Sequence, residues 1–88
     1  MTTPEYKYTL EIRQAPLKVL ESLPKNFRRQ IGYHLDLLQR DLTGDIKKLK
    51  GYEREYRLRI GTYRVLFELI GRHITVYNVG DRKDIYGR

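Results

Sequence analysis

An α+β fold is predicted by three features of the chain: an opening run that alternates apolar with polar residues, a middle section with helical spacing, and a closing half whose period returns to two between glycine-containing turns. The expected architecture is two N-terminal helices packed on one face of a small, mainly antiparallel four-stranded sheet. Each element follows from local chemistry.

The run Tyr6-Lys7-Tyr8-Thr9-Leu10-Glu11-Ile12 alternates large apolar with polar side chains and predicts a strand with one buried face. From Ala15, apolar residues fall at Ala15, Val19 and Leu23, with Pro16 near the start, where its missing N–H costs nothing; this predicts a short helix. Pro24 breaks the chain and restarts it. Leu23, Phe27, Ile31, Leu35, Leu38 and Leu42 then form one apolar stripe, and Gly44 is the expected stop. Gly32, inside the second helix, disfavours that helix by about 1 kcal/mol relative to Ala, and close packing against the first helix would be a sufficient reason for it. From Lys47 the period changes to two. Glu55–Ile60, Tyr63–Ile70 and His73–Gly80 read as consecutive antiparallel strands joined by Gly61-Thr62 and Gly71-Arg72, with the first strand free to add at an edge of this meander.

With 88 residues there is room for one core, so residues 1–88 are expected to form a single domain. Eight Tyr and two Phe within a 40% apolar composition are too hydrophobic for a disordered chain. The absence of cysteine removes disulfides and zinc-finger readings and fits a cytoplasmic setting. No stretch approaches the roughly 20 apolar residues of a membrane span, and the start resembles no export signal, so neither secretion nor membrane insertion is expected.

The formal net charge of +7 predicts attraction to a polyanion. Residues 1–44 carry seven Lys and Arg against five acids, whereas residues 45–88 carry eleven against six, which points to the C-terminal half. In the second predicted strand, alternation places Tyr56, Leu58 and Ile60 on one face and Arg57 and Arg59 on the other. In the third, Tyr63, Val65, Phe67 and Leu69 share a face while Arg64 points the opposite way and joins the two arginines. The segment from Gly80 onward adds Arg82, Lys83 and the hydroxyl of Tyr86. Guanidinium forks grip phosphates and tyrosine faces stack on unpaired bases, so this surface suits RNA.

Taken in order, Tyr56-Arg57-Leu58-Arg59-Ile60-Gly61-Thr62-Tyr63-Arg64-Val65-Leu66-Phe67, then Val79-Gly80-Asp81-Arg82 and Tyr86, resemble the RelE family of the RelE/ParE toxin superfamily. Leu49-Lys50-Gly51 and the helix junction at Leu23-Pro24 extend the resemblance over nearly the whole chain. It implies a toxin of a type II toxin–antitoxin pair: a ribosome-dependent messenger RNA endoribonuclease that needs no metal or other cofactor. The implied partners are a cognate RelB-like antitoxin, messenger RNA and the ribosome, with operator DNA bound through the antitoxin and no membrane. By the same resemblance Arg57 and Arg59 contact the RNA backbone beside Lys83, Arg64 and Arg82 are catalytic, and Tyr86 stacks on a base or transfers a proton. The implied reaction is attack of a ribose 2′-OH on the neighbouring phosphate, which needs a base, cations for the developing charge and a proton for the leaving 5′-oxygen.

Many relatives have His immediately before the arginine matching Arg82, where this chain has Asp81. A tyrosine hydroxyl ordinarily titrates near pH 10 but is favoured as phenolate by neighbouring arginines, which makes Tyr86 the candidate base. Asp81 is expected to pair with Arg82 or Lys83. ParE-like toxins, which share the fold, lack the nuclease residues and act on DNA gyrase, are the alternative; a generic RNA-binding module leaves the motif order unexplained. His34 and His73 lack a sequence partner, Tyr6, Tyr8, Tyr56 and Tyr63 suit packing, and Arg28, Arg29, Arg54 and Arg72 suit a solvated surface, so none of these is assigned a role.

Overall fold

A computed structural model describes residues 6–83 of the chain. Its elements are β1 (Thr9–Ile12), α1 (Gln14–Ser22), α2 (Lys25–Asp41), β2 (Asp45–Lys48), β3 (Glu55–Ile60), β4 (Tyr63–Ile70) and β5 (His73–Asp81). The α+β class, the two helices and the β3-β4-β5 meander agree with the sequence reading. The sheet has five strands rather than four, in the order β1-β5-β4-β3-β2, and it is mixed, because β1 joins β5 in parallel. The unforeseen strand is β2. Its sequence, Asp45-Ile46-Lys47-Lys48, has one apolar residue; backbone pairing to β3 supplies its stability, and its charges suit a sheet edge.

β1 is shorter than the predicted run because the backbone N–H groups of Lys7 and Tyr8 both donate to the Gln39 carbonyl of α2, at 2.9 and 3.0 Å, instead of entering the sheet. Pro16 falls in the first turn of α1, where no helical N–H partner is lost. Leu23, pushed to extended backbone by the proline that follows it, ends α1, and the Pro24 carbonyl accepts the first bonds of α2 from Phe27 and Arg28.

Gly44 is not the stop of α2. Leu42 takes the left-handed conformation (φ 55°) and its N–H returns to the Leu38 carbonyl at 2.9 Å, while its side chain packs on the core, which offsets the steric cost of a left-handed leucine. Gly44 serves another purpose: a Cβ there would lie 2.7 Å from Leu58 Cδ1. Close packing against α1 does not account for Gly32, since a Cβ built there meets nothing within 4 Å.

Ile31, Leu35 and Leu38 of α2 bury against Leu58, Ile60, Val65, Phe67, Ile74, Val76 and Val79 of the sheet, and Leu20, Leu23, Tyr8, Leu10 and Ile12 pack around them. The helices therefore cover one sheet face and, among the described residues, leave the other without a helix. Both hairpin turns have two central residues with glycine first, at φ 59° for Gly61 and 58° for Gly71, as a type II′ turn requires. β5 carries one extra residue opposite the Leu66–Phe67 step. Tyr77 is that residue, lying between the pairs Phe67–Val76 and Leu66–Asn78.

Candidate functional site

Strand alternation delivers Arg57, Arg59 and Arg64 to the open face, as expected. Arg59 lies directly across from Arg64, and Arg57 lies two residues further along β3. Two like charges opposed across strands are unfavourable unless other groups engage them. Asp45, brought beside Arg59 by β2, takes up one: its Oδ2 accepts from Arg59 Nε at 2.6 Å, and its Oδ1 lies 3.9 Å from Arg57 Nη2. Arg64 is handled differently. Its Nη1 donates at 3.0 Å to the carbonyls of both Gly61 and Tyr63, so the hairpin turn holds the guanidinium.

That clamp leaves Arg64 only 6% exposed, which departs from the expectation of an arginine standing freely on a polar surface. Its charge is met by neutral carbonyls. The Nε groups of Arg64 and Arg57 are both buried without a hydrogen-bond acceptor among the described residues.

The chain after β5 returns to the same turn. Tyr63 pairs with Asp81, Arg64 with Gly80, and the Arg82 N–H donates to the Thr62 carbonyl at 2.8 Å. Arg82 and Lys83 are exposed beside the turn that clamps Arg64. Asp81 does not form the expected ion pair; its Oδ1 accepts the backbone N–H of Lys83 at 3.1 Å, a local cap that shapes the segment carrying Arg82. Tyr86 lies outside the described residues. The structure thus brings Arg57, Arg59 and Arg64 to one sheet face and ties the backbone of Arg82, with Lys83 next to it, to the turn beside Arg64.

The other end of that face has opposite character. Glu55 and Glu68 face each other across β3 and β4, and Tyr77 donates to Glu55 Oε1 at 2.6 Å. Burial, followed by the bond to Glu55, pushes the Tyr77 hydroxyl well above the usual phenol range. Both effects favour the neutral phenol of Tyr77 over its phenolate. Sequence reading missed it because alternation does not anticipate the bulge that places it.

The residues left without a role fall elsewhere. Tyr56 stacks on Phe67 with ring centroids 5.6 Å apart, and Tyr63 meets Phe27 at 5.2 Å. His73, on the β1 side of the sheet, bonds Thr9 Oγ1 at 2.6 Å and Glu11 Oε1 at 3.2 Å. Near the candidate site, reading the sequence also overlooked Lys47, Lys48 and Tyr52, which line a cleft of about 850 Å³ with Lys50 and Arg57. The basic run ending at Gly51 was the available signal.

No protein-family model matches the chain. Toxin RelE3 of Methanocaldococcus jannaschii is 39% identical over 75 residues, covering 80% of this chain and 85% of the relative. Among solved structures, the archaeal RelE–RelB complex from Pyrococcus horikoshii includes a chain that superposes with a TM-score of 0.76 at 28% identity, covering 86% of this chain and 96% of that one. The RelB–RelE antitoxin–toxin complex from Methanococcus jannaschii gives 0.75 at 33% identity, with 88% and 95% covered. None of the described helices is long and apolar enough to cross a membrane. The fold, the arginine-bearing hairpin and the extent of these likenesses agree, and this chain belongs to the RelE family of toxins.

Proposed function

We propose that residues 1–88 form one toxin domain of a toxin–antitoxin pair, that its partner is a RelB-like antitoxin, and that it acts in the cytoplasm as a metal-independent endoribonuclease on messenger RNA at the ribosome. The observation that carries this reading is the union of Arg64 and Arg82 at the β3–β4 turn, through the Arg82 N–H bond to Thr62, beside the strand pair Arg57 and Arg59. Three guanidinium groups on one sheet face, with Arg82 held by its backbone at the adjoining turn, suit the charge that develops on a phosphate attacked by the adjacent 2′-OH. Arg64, fixed by two carbonyls, is pre-oriented and loses little freedom when a phosphate oxygen binds.

In this mechanism Arg57, Arg59 and Lys83 hold flanking phosphates, and a phosphate must displace Asp45 from Arg59 to use that guanidinium fully. Arg64 and Arg82 stabilise the pentacoordinate phosphorane. Tyr86 accepts the 2′ proton or stacks on the neighbouring base. Asp81 is an unsuitable base because its carboxylate is engaged in shaping the Arg82 segment. The departing 5′-oxygen takes a proton from solvent water, and the products are a 2′,3′-cyclic phosphate and a free 5′-hydroxyl. The antitoxin complex is expected to bind operator DNA through the antitoxin.

Induction in growing cells tests the reading. Protein synthesis should stop first, with messages cut within their translated regions and DNA synthesis continuing at the outset. An early block in DNA synthesis with intact messages would assign the chain to the gyrase-directed branch of the superfamily. Co-expression with the adjacent reading frame, expected to encode a RelB-like antitoxin, should restore growth and yield a stable complex.

A further inference from the structure

The loop between β2 and β3 carries a cleft that the mechanism above touches only through Arg57. Lys47, Lys48, Lys50 and Arg57 contribute four cations to it, Glu53 one carboxylate, and Tyr52 an aromatic ring that is 56% exposed. Among the described residues, no carboxylate lies within ion-pair distance of Lys47, Lys48 or Lys50. The loop is built rather than slack: Leu49 N–H donates to the Glu55 carbonyl at 2.8 Å, Tyr52 N–H returns to the Leu49 carbonyl at 3.3 Å, and Gly51 takes the positive φ of 86° that the tight return demands. The outcome is an exposed aromatic ring on the wall of a cleft whose lysines have no carboxylate partner among the described residues.

Register makes this cleft continuous with the arginine cluster. Lys47 is the direct strand partner of Arg57, as Asp45 is of Arg59, so Arg57 links the loop to the arginine cluster, with the Asp45 carboxylate set between Arg57 and Arg59. We propose that the cleft is a second binding subsite for single-stranded RNA, in which Tyr52 stacks on a base several nucleotides from the cut and Lys47 and Lys50 hold the intervening phosphates. This rests on the nuclease reading and extends it by lengthening the recognised strand. A stacked base with lysine-held phosphates is the pairing expected of an exposed ring in a cationic groove. Ammonium groups without carboxylate partners favour a polyanion, and a ring with an open face favours a base over an acidic peptide.

The test measures binding of uncleavable 2′-O-methyl oligoribonucleotides to the purified protein by fluorescence anisotropy, with a trinucleotide and an octanucleotide compared. Wild type should prefer the octamer. Tyr52→Ala should lower octamer affinity by about fivefold or more, the range for loss of one base–aromatic stack, and leave the trinucleotide unaffected. Tyr52→Phe should bind both as wild type does. Lys47→Ala and Lys50→Ala should each reduce the steepness of the octamer's salt dependence by about 0.7 in log–log slope. Tyr52 is exposed in a loop, so its truncation leaves the fold intact, and circular dichroism verifies this.

A wild-type protein that binds neither oligonucleotide overturns the subsite alone, because the nuclease reading is tested separately, at the ribosome, by induction in cells. Wild-type binding of both, with Tyr52→Ala indistinguishable on the octamer, overturns the subsite alone. If Tyr52→Ala leaves RNA binding unchanged but weakens capture of the RelB-like protein, the cleft serves that partner and the proposal falls.

Discussion

Along β3 the inward residues Tyr56, Leu58 and Ile60 and the outward residues Arg57 and Arg59 are held by different physics. The inward set is fixed by exclusion of water, and any sequence with that period and volume would bury it. The outward set depends on specific partners: a carboxylate from an edge strand for Arg59 and two turn carbonyls for the facing Arg64. One face is specified by pattern and tolerates exchange among similar hydrophobes; the other is specified atom by atom. Changes on the first should therefore register in stability, and changes on the second in activity.

Phe67→Ala should give the largest effect on the first side. Phe67 is fully buried and stacked on Tyr56, so truncation is expected to cost about 3–5 kcal/mol of unfolding free energy, read from urea denaturation. Toxicity would fall in proportion to the folded fraction. A loss of cutting in Phe67→Ala protein that remains fully folded would break the separation between the faces.

Arg64→Ala and Arg82→Ala probe the second side. Each should slow message cleavage by about a hundredfold or more, the usual consequence of removing one donor from an anionic transition state. Antitoxin binding should survive in both. For Arg64 a stability loss smaller than that of Phe67→Ala is expected, because the site becomes a void beside carbonyls that water can reach. Arg64→Lys should fail to restore cutting, since one ammonium cannot keep the planar two-carbonyl clamp while presenting a second donor edge. Wild-type rates in both folded alanine variants would remove these residues from the active site.

The smallest effect concerns a surface pair that belongs to neither face. Tyr6 donates its hydroxyl to Asp36, and this bond is the main reason the Asp36 carboxyl sits below the usual carboxylate range; Arg40, bonded to the same carboxylate, adds to it. A depressed folded value means that the stabilisation is fully present above the ordinary aspartate value near pH 4 and disappears as pH falls through the lower folded value. Tyr6→Phe should therefore show a small Tm deficit at neutral pH that narrows below about pH 4. A deficit that widened in acid would reverse the assignment of the proton to Tyr6.

The same division decides what could be read from the sequence. Leu58, Val65, Phe67 and Ile31 announce themselves by spacing, and the hairpin glycines Gly61 and Gly71 by the turn they make, so the helices, the meander and the outward direction of the arginines were legible. The β2 strand was not, because Asp45-Ile46-Lys47-Lys48 has no alternation and is stabilised by backbone pairing. With β2 unseen, the Asp45 partner of Arg59 and the Lys47 neighbour of Arg57 were unseen too. Burial of Arg64 follows from a rotamer chosen by two carbonyls, and neither period nor composition encodes that choice. The parallel direction of β1 was left open, since an edge strand of Thr9–Ile12 satisfies its apolar face either way.

That parallel ladder orders events in time. Thr9 lies against His73, 64 residues away in the chain, so β1 has no sheet partner until β5 has been synthesised. The local β3–β4 and β4–β5 hairpins can close quickly, whereas the β1–β5 pairing requires closure of a long loop and is expected to be slow. A nascent chain can thus assemble its arginine-bearing hairpin while the far edge of the sheet remains unpaired, and completion of the sheet becomes a late, non-local folding step.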